Sequence, residues 1–518
     1  MDSSILLSTF VLLLTTLVVI GILKIATVLY YAYFHWKNKG IPYVPNSLSS
    51  LIMSWKMLLG QATFPDYCQY LYYYFPDVKY FGTVDFFMPW PIMIVRDPEL
   101  IKNITVKDFE HFTDHRTYID ENVEPLFGKN VLSLRGERWK EMRNILSPSF
   151  TANKMKFMFE LILKCSHDFV DYLADHPELC HEIEAKEAFR RYTNDVIATA
   201  AFGISMNSMK DRDNEFYTRG VEATKFATGL LAMAKLIFIS SCPGLAKLMG
   251  VSIFSSDTLK FFEKIVEENI KAREKQDVIR PDMIHLLMQA RDKENASGHK
   301  MTLGDIVSQA FIFFFAGFDT SSMLMCYVAH ELAVNQDIQD RLREEIQQYL
   351  LEGNGEISYE SLSKMPYMDM VISETLRKHP PAVISDRVCT KKYELPPSQP
   401  GCKNVIIEAG SHVILPVFAL HRDPKYFPNP NKFDPERFNN ENKDNILPCT
   451  YLPFGFGPRM CIGNRFALME TKILIVQLLQ KFILKTTDKT VEPVVFSKKE
   501  FALQPVDGFW IALEKRET

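Results

Sequence analysis

The sequence predicts a mainly α-helical chain with a minor β part: one large domain preceded by a transmembrane helix. Three observations predict it. Long segments of helical periodicity dominate the chain, strand-like runs are few and short, and the first residues are almost uncharged over the width of a bilayer. The composition points the same way. With 47% hydrophobic residues, 38 Phe and 21 Tyr in 518 positions, the chain is too apolar for disorder. Fifty-nine basic against 63 acidic residues give a net charge of −4, which excludes a dedicated nucleic-acid binder. Nine cysteines with no C-x-x-C pair exclude a disulfide scaffold and a zinc ribbon. The odd count directs attention to one cysteine with a task of its own.

Residues 1–39 read as the membrane anchor, with a span of about 5–34. Ile5 to Leu23 holds no charge, Lys24 interrupts, and Ile25 to Phe34 is again apolar. Tyr30, Tyr31, Tyr33, Phe34 and Trp36 follow as an interfacial aromatic belt. A cleaved signal would want a basic start and a small-residue cleavage site. This start carries Asp2, so a retained anchor is expected. Lys24, Lys37 and Lys39 place everything beyond residue 40 in the cytosol, where the thiols stay reduced. Gly40 to Pro45 contains two prolines, which stiffen the chain into an extended joint, or hinge, before a body at 46–518.

Within the body, helical periodicity marks Arg138–Leu146, Lys154–Leu173, Lys260–Lys275, Asp305–Leu351 and Arg465–Leu484. Strand-like runs are Ile92–Val95, Val405–Glu408, His412–Pro416 and Phe509–Glu514. Thr302 and Asp305 form a capping box ahead of the long apolar helix. Leu230 to Phe254 is apolar but broken by Pro243-Gly244. Two readings stand for it: core, or a surface element dipping into the bilayer.

The cysteine that stands apart is Cys461. Phe454-Gly455-Phe456-Gly457-Pro458-Arg459-Met460-Cys461-Ile462-Gly463 is a glycine-rich loop running into a helix. Free amides and the dipole at a helix N-terminus favour a thiolate, and Arg459 adds positive charge. A shielded thiolate suits an iron ligand. A nucleophile would want a histidine partner, and none is adjacent.

This loop resembles the haem-binding signature F-x-x-G-x-R-x-C-x-G of cytochromes P450, filled by Phe454, Gly457, Arg459, Cys461 and Gly463, with Gly455 at a free position between them. Further family segments follow in order along the chain. Ala316-Gly317-Phe318-Asp319-Thr320-Ser321 looks like the oxygen-activation motif. Glu374-Thr375-Leu376-Arg377 matches E-x-x-R, and Pro435-Glu436-Arg437-Phe438 is similar to the P-E-R-F segment. The resemblance implies the haem-thiolate fold, haem b on Cys461, and a buried structural triad of Glu374, Arg377 and Arg437. It implies propionate contacts from Trp139, Arg143, Arg387, Arg459 and His115. Ala316 and Gly317 leave space for the flat cofactor, while Asp319 and Thr320 relay protons.

By the same resemblance the chain is a monooxygenase using O2 and electrons from NADPH–cytochrome P450 reductase, with cytochrome b5 as an accessory donor. Its place is the endoplasmic reticulum membrane, in contact with membrane lipid. It looks close to insect microsomal members allied to vertebrate drug-oxidising ones, which implies foreign lipophilic substrates. A pocket wall is implied at Tyr118–Val131, Phe311–Thr320, Pro381–Ser385 and Phe501–Leu503. The alternatives are an endogenous hormone, pheromone or lipid as substrate, a reductase-independent isomerase, a haem sensor, or a cysteine hydrolase. No FAD, FMN or nicotinamide signature is present.

Overall fold

The computed structural model describes residues 15, 19, 21–23, 26, 27, 30, 34–45, 48–84, 90–117, 119–225, 230–276, 282–297, 301–500 and 502–516. Most of the expected membrane span therefore lies outside the described residues. The chain is mainly α with a minor β part. Its principal helices begin with α1 (Leu48–Leu58), α2 (Phe64–Tyr74), α3 (Gly136–Leu146), α4 (Ala152–Asp175) and α5 (Ala185–Ile197). They continue with α6 (Leu230–Ser241), α7 (Pro243–Leu248), α8 (Ser256–Gln276), α9 (Leu303–Ala316) and α10 (Ser322–Val334). The last are α11 (Gln336–Glu352), α12 (Pro366–Lys378) and α13 (Asn464–Lys481). The strands are β1 (Tyr80–Val84), β2 (Pro91–Val95), β3 (Ile183–Glu184), β4 (Ser385–Val388) and β5 (Tyr393–Leu395). Then come β6 (Val405–Ile407), β7 (His412–Leu415), β8 (Phe482–Lys485) and β9 (Trp510–Lys515).

The chain divides into two compact units, one of residues 1–116 with 384–416, the other of 117–383 with 417–518. The smaller unit is built on a sheet of order β1-β2-β7-β4. β1 pairs antiparallel to β2, β2 parallel to β7, and β4 antiparallel to β7 with Arg387 opposite Val413. Its core joins Tyr67 and Leu71 of α2 to Phe81, Ile92, Ile94 and Ile414 of the sheet. β1 and β4 carry no clean alternation, and β4 is the polar run Ser-Asp-Arg-Val, so periodicity misses both.

Two expectations change in this unit. Trp36 does not belong to an interfacial belt: it is buried, and its indole Nε1 donates to the Thr83 carbonyl at 2.9 Å. Gly82 makes this contact possible, since a Cβ there would lie 2.3 Å from the indole ring. Tyr30 and Phe34 are exposed, as a belt requires. The segment 40–45 is extended as expected but is fastened to β1. Val44 N donates to Gly82 O at 2.9 Å, and Gly82 N to Pro42 O at 2.8 Å.

In the larger unit, the capping box opens α9 as expected, with Asp305 N on Thr302 Oγ1 at 3.2 Å and Thr302 N on Asp305 Oδ2 at 2.9 Å. From Leu303 to Val334 the chain is one continuous apolar helix, interrupted only by a π turn at Gly317–Ser321. Among the described residues it alone is long and apolar enough to cross a membrane, yet it is largely buried in the protein. The expected run to Leu351 is broken at Asn335, whose side chain bonds the Glu331 carbonyl at 2.8 Å. The helix expected to reach Leu484 ends at Lys481. Beyond it β8 pairs with β9, and Gln339 accepts the Leu484 amide at 2.9 Å. Tertiary partners override helical periodicity there. The apolar run 230–254 forms α6 and α7, and α7 with the turn after it exposes Leu245, Leu248 and Met249.

Candidate active site

Two glycines in the left-handed region, Gly455 (φ 73°) and Gly457 (φ 74°), turn the chain tightly before Cys461. Cys461 N donates to Phe454 O and Met460 N to Gly457 O, both at 2.9 Å. Gly463 is the N-cap of α13, so the cysteine does sit at a helix N-terminus. A Cβ on Gly463 would meet nothing within 4 Å, so packing against the protein does not demand glycine there. The Cys461 residue itself is exposed. Burial of its surroundings pushes the thiol up, while the Gly463 amide and the charge of Arg143 pull it down. Metal coordination would deprotonate such a thiol outright. No disulfide joins any of the nine cysteines among the described residues.

The charge beside the sulfur is Arg143, not the expected Arg459. Arg143 Nη2 donates to the Met460 carbonyl at 2.8 Å and so braces the loop. Arg459 turns away: its Nη2 donates to Leu134 O at 2.8 Å and its guanidinium lies 3.9 Å over the Trp139 ring. Trp139 and Arg143 are both on α3, four residues apart and hence on neighbouring positions of one face.

Glu374, Arg377 and Arg437 are brought together. Arg377 Nε and Nη2 grip the two Glu374 carboxyl oxygens at 2.7 and 2.8 Å, and Arg437 Nε reaches Oε1 at 3.4 Å. The Asp434 amide adds a 2.9 Å bond to the same oxygen, and Arg377 Nη1 donates to the His421 carbonyl at 2.9 Å. Glu374 and Arg377 are fully buried.

On the long helix, Ala316 and Thr320 are exposed within an otherwise buried element, and Phe313 on the same stripe is half-buried. Thr320 Oγ1 donates to the Ala316 carbonyl at 2.6 Å. Gly317 faces elsewhere than expected. A Cβ on it would lie 2.5 Å from Ile197 Cδ1, so its smallness admits α5 rather than a cofactor. Asp319 is clamped by a residue that motif reading missed. Arg190 Nε donates to Asp319 Oδ1 at 2.9 Å, its Nη2 reaches the same oxygen at 2.5 Å, and Lys186 Nζ stands 3.9 Å away. Lys186 also donates to Gln504 Oε1 at 2.7 Å. The i,i+4 spacing of Lys186 and Arg190 on α5 is the one sequence signal that could have found them.

The five phenylalanines of this helix separate cleanly. Phe311, Phe314 and Phe318 are core, packed on Phe254, Phe262, Phe216 and Tyr217. Phe313 and Phe315 are half-buried and meet Phe150 and Phe127. Val131, at the end of one expected pocket wall, donates its amide to Gln309 Oε1 at 2.8 Å, which fastens that wall to α9. Tyr118 and Phe501 lie outside the described residues.

In the smaller unit, Arg387 is buried on β4, with Nη1 on the Asp386 carbonyl at 2.6 Å. Burial lowers its guanidinium to about 10. His115 Nδ1 is committed to Asp386 Oδ1 at 3.0 Å, and the Arg116 amide donates to Oδ2 at 2.5 Å. Burial alone would push the Asp386 carboxyl up, but the bond and charge of His115 hold it below its ordinary value. Arg116 places its guanidinium 4.9 Å over the Trp90 ring.

Comparison with known proteins gives a consistent likeness. Residues 74–512 match the family model described as cytochrome P450. The chain is 47% identical to cytochrome P450 9e2 of Blattella germanica over 487 residues, 89% of this chain and 90% of the relative. It is 41% identical to cytochrome P450 9b2 of Drosophila melanogaster, over 84% and 86% of the two chains. Against cytochrome P450 6k1 of Blattella germanica the identity is 35%, over 96% and 97%.

Proposed function

Since the chain belongs to the cytochrome P450 family, and is therefore a haem b-dependent monooxygenase that draws electrons from a redox partner, we propose that it oxidises foreign lipophilic molecules at the endoplasmic reticulum membrane. The observation that carries this reading is the open stripe Phe313, Ala316 and Thr320 on a helix otherwise lined with buried aromatics. It sets an apolar contact surface directly beside a hydroxyl able to carry a proton.

Haem b, which Cys461 would hold through its sulfur, would supply the activation of dioxygen. The chain supplies position and protons. Arg143 fixes the Met460 carbonyl and with it the cysteine loop. Trp139, with Arg459 stacked on its indole, would hold the propionates, while the Glu374–Arg377–Arg437 cluster is structural. All three cationic contacts to Asp319 fall on Oδ1, which leaves Oδ2 without a cationic contact among the described residues. Thr320 takes up protons from that side once its hydroxyl releases the Ala316 carbonyl. The presence of both Asp319 and Thr320 favours oxygen insertion over peroxide rearrangement.

NADPH–cytochrome P450 reductase is the electron donor, with cytochrome b5 as accessory. Exposed Leu245, Leu248 and Met249 of the larger unit and Ile52, Trp55 and Leu59 of the smaller unit suit membrane lipid. The test is reconstitution with reductase and NADPH over a panel of plant toxins and insecticides. Product formation that needs reductase, with Cys461→Ala devoid of the red-shifted carbon monoxide difference band, supports the reading. Turnover without reductase would overturn it in favour of an isomerase.

A further inference from the structure

Tyr327 lies on α10, the C-terminal part of the long helix, and is fully buried. Its hydroxyl donates to the Leu503 carbonyl at 2.5 Å. Its ring stacks on the His379 imidazole, with centroids 4.0 Å apart and planes 7° from parallel. The ring of Phe509 stands edge-on to it at 4.8 Å. His379 is held in its turn. Burial lowers its imidazole to about 3, so the ring is neutral at pH 7 and its Nε2–H donates to Glu331 Oε1 at 2.7 Å. Lys378 Nζ, 2.8 Å from the same oxygen, balances that buried carboxylate. The imidazole therefore cannot turn without giving up a charge-assisted bond.

Both partners of Tyr327 belong to the stretches expected to wall the pocket, or lead into them. Leu503 ends the stretch Phe501–Leu503 and is itself buried. His379 stands just ahead of Pro381, which opens another such stretch. Within that stretch the Val383 carbonyl accepts the Phe418 amide at 2.9 Å. Phenylalanine in place of Tyr327 would fill the same space and stack as well, so packing does not ask for the hydroxyl. What the hydroxyl adds is the tie to Leu503. We propose that Tyr327 is a positioning residue for substrate: it fastens two walls of the pocket to the long helix and so sets how an extended apolar molecule lies against them. This rests on the monooxygenase reading above and on those walls. Tyr327 acts through Leu503 and His379, since its own side chain is shut off in the core.

The test uses the haem-loaded enzyme and two nitrogen ligands of haem iron. Imidazole is small and needs no wall. Phenylimidazole carries an apolar ring that has to lie against one. Tyr327→Phe should keep the carbon monoxide band and the affinity for imidazole, while the affinity for phenylimidazole falls several-fold. Amide hydrogen exchange at Leu503 and Gln504 should quicken in the same variant. Parent-like affinity for phenylimidazole, equal losses for both ligands, or unchanged exchange overturns the proposal; a general loosening of the core would move both affinities together. Should Tyr327→Phe fail to load haem, His379→Gln decides, because it removes the stacked ring but keeps an N–H for Glu331. The same split between the two ligands then supports the proposal, and its absence overturns it. Absence of the thiolate band from the unaltered enzyme would sink the haem-thiolate reading instead, which separates the two failures.

Discussion

Replacing Glu374 by alanine should leave little haem-loaded protein. The carboxylate takes two bonds of 2.7 and 2.8 Å from Arg377, one of 2.9 Å from the Asp434 amide and one of 3.4 Å from Arg437. All of this lies where Glu374 and Arg377 have no exposure. Removing one partner of a buried pair strands the other charge, which costs about 3–5 kcal/mol. The Asp434 amide loses its acceptor as well, for about 1 kcal/mol more. Against a total stability of about 5–15 kcal/mol, that is a third of the margin or nearly all of it. Glu374→Gln keeps the shape but not the charge, so two arginines remain uncompensated and it should fall between the parent and alanine. The assay is haem content per polypeptide together with the urea midpoint. Parent-like values in both measurements for Glu374→Ala would refute the reasoning, because the cluster would then carry no stability.

Three further outcomes are expected. Gly82→Ala should destabilise the smaller unit by about 1–3 kcal/mol, because its Cβ meets three atoms of a rigid indole at 2.3–2.6 Å; an unchanged urea midpoint would mean Trp36 can move aside. Stability should fall as the pH drops below about 6.5. Burial and the neighbouring Arg377 lower the His421 imidazole to about 3, and its Nε2 must stay unprotonated to accept the Leu452 amide at 2.7 Å. The folded value lies below the unfolded one, so between them the unfolded chain binds the extra proton, at about 1.4 kcal/mol per pH unit. Equal urea midpoints at pH 7 and pH 5 would contradict this. Arg190→Gln should unclamp Asp319 and lower product yield per NADPH several-fold, with the carbon monoxide spectrum intact; full coupling would show that the clamp plays no part in proton delivery.

What the sequence decided by itself is local chemistry. A glycine-rich loop, a cysteine and a following helix are contiguous, so Cys461 was readable from spacing and helix-end physics. The same holds for the Thr302–Asp305 cap and for the i,i+3 pair of Glu374 and Arg377, whose partners lie within one turn. Helical periodicity located the long segments because an amphipathic or buried helix repeats its pattern whatever it packs against. What only the tertiary structure decided is where each side chain spends its bonds. Arg459 is drawn off by the Leu134 carbonyl and Trp139, and Arg143 takes its place by the sulfur. Gly317 is small for Ile197, and Trp36 leaves the expected aromatic belt for the gap over Gly82. Asp319 is held by Arg190, 129 residues away in the chain. Glu470 looks in sequence like any carboxylate on a helix, and only the tertiary structure buries it completely. Hydrogen bonds and desolvation act over a few ångströms of space, and nothing in the order of residues states which distant segments will share those ångströms.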